Sequence, residues 1–154
     1  MGFLDKLKSI GRGITGGGAS VQLRVSSGAV LGQPFPVVVT AQIEGAPIKA
    51  AKVYVAVRAV ETVDLVHRDR DANSNNDRDR VHVTETTFSQ EFVIQGPVEL
   101  AASSQHEWRG EILLPTSAPP SYRGRHAKHE WSLLAAIDVT GNDPDSGWTE
   151  IQVR

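Results

Sequence analysis

From Ser20 to Arg154 the chain is a succession of short β-rich runs cut by turn residues, and that rhythm confines it to an all-β fold. Val21, Leu23 and Val25 alternate with Gln22, Arg24 and Ser26, the pattern of a strand with one buried face. Gly28 and Gly32-Gln33-Pro34 mark the turn to a valine-dense run from Phe35 to Ile43, where β-branching favours strand over helix. Gly45-Ala46-Pro47 ends that run. A long third run follows from Ile48 to Val66, with Val53, Val55 and Val57 on one face and Tyr54, Ala56 and Arg58 on the other. Further strands are predicted at Val81 to Gln95, Val98 to Ala102, Gln105 to Leu114, His129 to Thr140 and Trp148 to Arg154. About eight strands with no interleaved helical pattern describe a sandwich or barrel and not an α/β fold. Because the last run ends at Arg154, the domain is expected to stop there.

Composition narrows the function classes. With 154 residues, 40% hydrophobic and 22% charged, the chain is long enough to bury one core and does not have the composition of a disordered segment. Its formal net charge of −2 argues against a general electrostatic grip on nucleic acid, so no nucleic-acid partner is expected. The chain has no cysteine, which excludes disulfides, thiol chemistry and thiolate metal sites and fits a reducing, cytoplasmic setting. No apolar run is long enough to span a bilayer, and no secretory signal is evident. Met1-Gly2 is not followed by Ser or Thr at position 6, where Lys6 stands, so myristoylation is not expected.

The first nineteen residues differ from the rest. Phe3, Leu4, Leu7 and Ile10 fall at helical spacing opposite Asp5, Lys6, Lys8 and Ser9, which predicts a short amphipathic helix. Glycines at 11, 13, 16, 17 and 18 then make a linker, so the domain proper is expected over 20–154. So short a helix needs a surface for its apolar side. That surface is the chain's own sandwich, a protein partner or a membrane, since Lys6, Lys8 and Arg12 flank the apolar residues.

Residues 66–83 form a near-palindrome, Val66-His67-Arg68-Asp69-Arg70-Asp71 against Asp77-Arg78-Asp79-Arg80-Val81-His82-Val83. If the two arms paired in mirror register, Arg70 would face Arg78 and Asp69 would face Asp79, which repels. A one-residue slip pairs opposite charges, so a slipped hairpin is expected. A calcium loop starting at Asp69 would need Gly where Ser74 stands and Glu where Arg80 stands, so calcium is not expected.

The residue types of catalysis do not assemble. There is no nucleophile elbow, phosphate loop or metalloprotease helix. His126 and His129 lie three apart where the chain enters a predicted strand, and on a strand residues three apart point to opposite faces, so they read as surface or rim residues. His67 and His82 could meet across the hairpin, but two imidazoles alone make a weak metal site. Trp108, Trp131 and Trp148 fall in predicted strands and read as core or interface packing. No cofactor or metal is expected.

Residues 99–140 are more specific. Trp108-Arg109-Gly110-Glu111-Ile112-Leu113-Leu114-Pro115 leads into Ser117-Ala118-Pro119-Pro120-Ser121-Tyr122-Arg123-Gly124 and then Glu130-Trp131-Ser132-Leu133-Leu134-Ala135-Ala136-Ile137-Asp138-Val139. A strand ending in Leu-Pro, a Pro-Pro-Ser-Tyr turn and an aromatic-x-Leu-x-Ala strand together resemble the arrestin N-domain. The opening of the chain resembles the bacterial sporulation-control branch of that clan. The resemblance implies a two-layer antiparallel immunoglobulin-like sandwich of arrestin type with a short N-terminal helix. Its motif residues here are Leu114, Pro115, Pro119, Pro120, Ser121, Tyr122, Gly124 and Trp131, with Leu113 and Leu133 expected to point inward. It also implies protein–protein scaffolding and not catalysis. Arrestins carry two such domains and this chain has room for one, and the switch residues of animal arrestins have no counterpart, so receptor regulation does not follow. The leading expectation is a bacterial adaptor that binds protein through an edge strand or as a homodimer. Membrane-surface contact through Phe3, Leu4, Leu7 and Ile10 comes second, and a histidine-based metal or catalytic site third.

Overall fold

A computed structural model describes residues 8–9, 18–67 and 79–154 of the protein. One sheet contains, in order, β1 (Lys8–Ser9), β2 (Ala19–Val25), β4 (Phe35–Ile43) and β9 (Gln105–Ile112). The other runs β3 (Gly28–Ala29), β12 (Thr149–Val153), β11 (Ala127–Asp138), β6 (Lys52–His67) and β7 (Asp79–Gln95), with β10 (Tyr122–Arg123) also paired to β11. A separate ladder joins β5 (Ile48–Ala50) to β8 (Val98–Leu100). Pairing is antiparallel except where β12 meets β3. The architecture is the all-β sandwich of arrestin type that the sequence predicts.

The alternation read from sequence is the alternation of burial. Val21, Leu23 and Val25 from β2, Val37 and Val39 from β4, Val53, Val55 and Val57 from β6 and Trp131 and Leu133 from β11 meet in one core with at most 1% exposure. Each such side chain removed from water stabilises the fold by roughly 1.5–3 kcal/mol before entropy is counted, and this carries a domain without disulfides.

Several details differ from expectation. Lys8 and Ser9 are not helical: they add to the edge of β2 opposite Val25 and Arg24, where ladder bonds replace an isolated helical turn. The rest of the predicted helix, with Phe3, Leu4, Leu7 and Ile10, lies outside the described residues. The stretch at Gly28 is more than a turn, because it carries the chain to the second sheet beside β12, with Gln152 N donating to Ser27 O and Arg154 N to Ala29 O. The run 48–66 breaks at Ala51, whose N–H turns to Asp138 O at 2.9 Å; β5 pairs with β8 before the break and β6 with β11 and β7 after it. Leu113 points outward at 55% exposure, because Ile112 and Leu114 on either side take the buried positions. Trp148 precedes β12 and is 43% exposed under the Arg58 guanidinium, 3.8 Å from the ring centroid.

The β6–β7 hairpin outruns the sandwich. Val63 faces Val83, Leu65 faces Val81 and His67 faces Asp79, a register two positions from the mirror-symmetric one where a slip of one was expected. The offset places Arg80 diagonal to Asp64 and bonded to both carboxylate oxygens at 2.9 and 2.5 Å. The charged residues 68–78 are outside the described residues. The inward-facing row of β6 is buried as far as Ala59, but farther out Leu65, Val81 and Val83 are 43%, 48% and 53% exposed. The first sheet no longer covers them.

Candidate interaction surface and the turn that frames it

The most open structural feature is the free side of β7. This strand of 17 residues stands at the end of its sheet, paired to β6 on one side and to no strand on the other among the described residues. A free edge presents a row of N–H and C=O groups ready to accept another strand. Proteins commonly blunt such edges with proline, lysine or bulges. Over 79–95 β7 has neither proline nor lysine. It has two irregularities: Phe88 pairs with Ala59 and Thr86 with Val60, leaving Thr87 unopposed, and Gln95 pairs with Val53 and Val93 with Tyr54, leaving Ile94 unopposed. By contrast β9, at the end of the other sheet, is shorter and carries Glu107, Arg109 and Glu111, with Arg109 and Arg24 both bonded to Glu107. The long edge carries Asp79, Arg80, Glu85 and Glu91 over 17 residues, so its charges are the more widely spaced. Val83 and Val93, 53% and 61% exposed, add apolar side chains to it.

The unopposed Thr87 is tied to the proline turn. Its hydroxyl lies 2.7 Å from His129 Nε2 and 3.3 Å from Ala59 O. The other nitrogen, His129 Nδ1, donates to Pro120 O at 2.9 Å. Trp131 Nε1 donates to Pro119 O at 3.0 Å. Ser121 completes the clasp on β12: its N–H donates to Val153 O at 2.8 Å and its hydroxyl accepts from Val153 N–H at 2.9 Å. Two prolines supply carbonyls but no N–H, so at Pro119 and Pro120 the turn is held by donors from the neighbouring strand β11. Gly124 N closes the turn onto Ala127 O, and Leu114 O accepts from Gly32 N at 2.9 Å.

Of the motif residues, Pro119, Pro120, Ser121 and Trp131 are joined by these bonds. Leu114 and Trp131 are fully buried, whereas Tyr122 is 40% exposed and stacks on His129. The Tyr122 hydroxyl donates to Glu61, and that bond holds the phenol above its ordinary range. His129 was expected at the surface or rim; it is 1% exposed with both ring nitrogens engaged, because it shares the inward parity of Trp131 and Leu133. His67 and His82 do not face one another: the register sets them against Asp79 and Asp64. Among the described residues no group of three or more His, Asp or Glu side chains is placed to hold a metal ion, and no helix is long and apolar enough to cross a membrane.

Sheet order, the clasped Pro-Pro-Ser-Tyr turn and the shared core define an arrestin-like β-sandwich. Among solved structures the chain is similar to the crystal structure of Spo0M, sporulation control protein, from Bacillus subtilis, with a TM-score of 0.61 and 16% sequence identity. The match covers 90% of this chain and 50% of that one, so the chain spans about half the length of the structure it resembles. At that identity the likeness concerns the fold alone. No family model matches the chain, and no curated protein matches it by sequence.

Proposed function

We propose that the protein is a non-catalytic, arrestin-like regulatory adaptor that binds protein partners by strand addition to the free edge of β7. The observation that supports this reading is the edge itself: 17 residues long, unpaired on one side among the described residues, without proline or lysine. Backbone hydrogen bonds would supply affinity, and the alternate side chains Val83 and Val93 would supply selectivity. A second copy of the chain is one possible strand donor, since an edge can pair with its own like. The likeness to a sporulation control protein is compatible with a regulatory role.

The test is affinity capture from the native host with the intact chain and with Val83→Lys/Val93→Lys, which places charge along the edge without touching the core. Edge-dependent partners should fall at least about tenfold in the variant, equivalent to about 1.4 kcal/mol. Equal capture by both forms, with the variant folded by circular dichroism, would overturn the reading. Sedimentation of the intact chain separates self-pairing from a foreign partner.

A further inference from the structure

We infer that the cleft between the β10–β11 turn and the base of the β6–β7 hairpin is a binding site for a small, multiply charged oxyanion of the phosphate or diphosphate class. The cleft is an open groove of about 420 Å³, lined by Arg123, Arg125, His126 and Lys128 on one wall and by Thr62, Asp64 and His82 on the other. Strand register explains the grouping. Arg123 faces Lys128, Lys128 faces Thr62 and Asp64 faces His82, so three adjacent strands and β7 turn these side chains to one side of the sheet.

The local charge has the opposite sign to that of the chain, whose net charge is −2. Asp64 is neutralised by the two hydrogen bonds from Arg80. Arg123 and Lys128 share the single carboxylate of Glu130, each at 2.7 Å, and Glu150 lies 4.0 Å from Arg123. Arg125 makes no ion pair among the described residues. The cleft thus has cationic donors in excess of acceptors, centred on Arg125. Both walls are pinned before any ligand arrives: Asp64 N–H donates to His126 O at 2.8 Å and Gly124 N–H to Ala127 O at 2.7 Å. Binding there would cost little ordering of backbone.

Donors reach the cleft from β10, from the turn and from β11, which are separate directions. A tetrahedral phosphate can accept from all of them at once, and guanidinium forks match its oxygens bidentately, whereas a planar carboxylate offers only two oxygens. The volume suits one or two phosphate groups and sits at the small end of ligand pockets.

The test follows backbone amide NMR shifts of the full chain while inorganic pyrophosphate is added at constant ionic strength, with glutarate as a dicarboxylate control. Saturable shifts confined to 123–128 and to residues 62, 64 and 82 are expected. Affinity should weaken at least about tenfold in Arg125→Ala/Lys128→Ala, and stay unchanged in Arg109→Ala on the other sheet. Shifts that do not saturate, that are equally strong with glutarate, or that persist in the double variant would overturn the assignment. Should that double variant fail to fold, Arg125→Gln, an exposed single change, must show the same weakening.

Discussion

His129 Nδ1 lies 2.9 Å from the carbonyl oxygen of Pro120, and because a carbonyl only accepts, the imidazole donates there. That bond joins the inner face of β11 to the proline turn, while Nε2 joins it to Thr87 on the edge strand. One buried ring therefore couples the turn to the irregularity at Thr87 in β7.

Replacing His129 with Leu keeps the volume roughly but leaves Pro120 O and Thr87 Oγ1 without this partner. An unsatisfied buried group costs about 1–3 kcal/mol, so chemical denaturation should show a loss in that range. Thr87→Val should cost less, because His129 Nδ1 keeps its bond to Pro120. A larger loss in Thr87→Val than in His129→Leu would refute the coupling.

Trp131 is fully buried, packs 5.2 Å from Phe88 between ring centroids, and donates to Pro119 O. Trp131→Ala should destabilise the fold by about 3–5 kcal/mol in urea melts. Trp131→Phe keeps most of the packing and should cost noticeably less, near the worth of one hydrogen bond plus a small cavity.

A Cβ at Gly110 would stand 2.7 Å from Ile94 Cδ1, where β9 of one sheet approaches β7 of the other. Because Ile94 Cδ1 is the free end of its side chain and can rotate away, Gly110→Ala should cost no more than about 1 kcal/mol, the low end of overpacking. Ile94→Ala should be less than additive with it, since the shortened side chain vacates the space the new methyl needs. Full additivity in a double-mutant cycle would contradict the close approach.

Burial, and after it the hydrogen bond to Asp143, raises the Tyr54 phenol above its ordinary value. Above about pH 10 the unfolded phenol loses its proton while the folded one still holds it, so folding stability falls as pH rises through that window. Tyr54→Phe lacks this slope. The stability difference between wild type and variant should shift in favour of the variant as pH increases from about 9 to about 11. A difference independent of pH would exclude the effect.

Much of the fold was legible because alternation and burial are the same physical fact. Val21, Leu23 and Val25, or Trp131 and Leu133, declare their inner face by parity alone, and β4 was found at its full extent from Phe35 to Ile43. Local pattern says less about where a strand changes partner. Ala51 has no sequence mark, yet its hydrogen bond to Asp138 moves the chain from the β5–β8 ladder to the second sheet. The short β3 is invisible for the same reason: its pairing is with β12, far along the chain. His129 was readable and missed; its parity with Trp131 and Leu133 was the available signal, outweighed by the usual exposure of histidine. Leu113 erred the other way, because adjacent leucines leave parity ambiguous until Ile112 is placed. The cationic cleft was not legible, since Lys128 and Arg123 meet Asp64 and His82 only through the register of four strands.

Amide hydrogen exchange along β7 tests the edge-binding role most directly. In the chain alone, residues 81–95 should include rapidly exchanging amides on the free side, while β6 and β11, paired on both sides, exchange slowly. Addition of a captured partner should protect 81–95 and leave β9 unchanged. Protection that appears elsewhere, with β7 exchanging as before, would contradict strand addition at this edge.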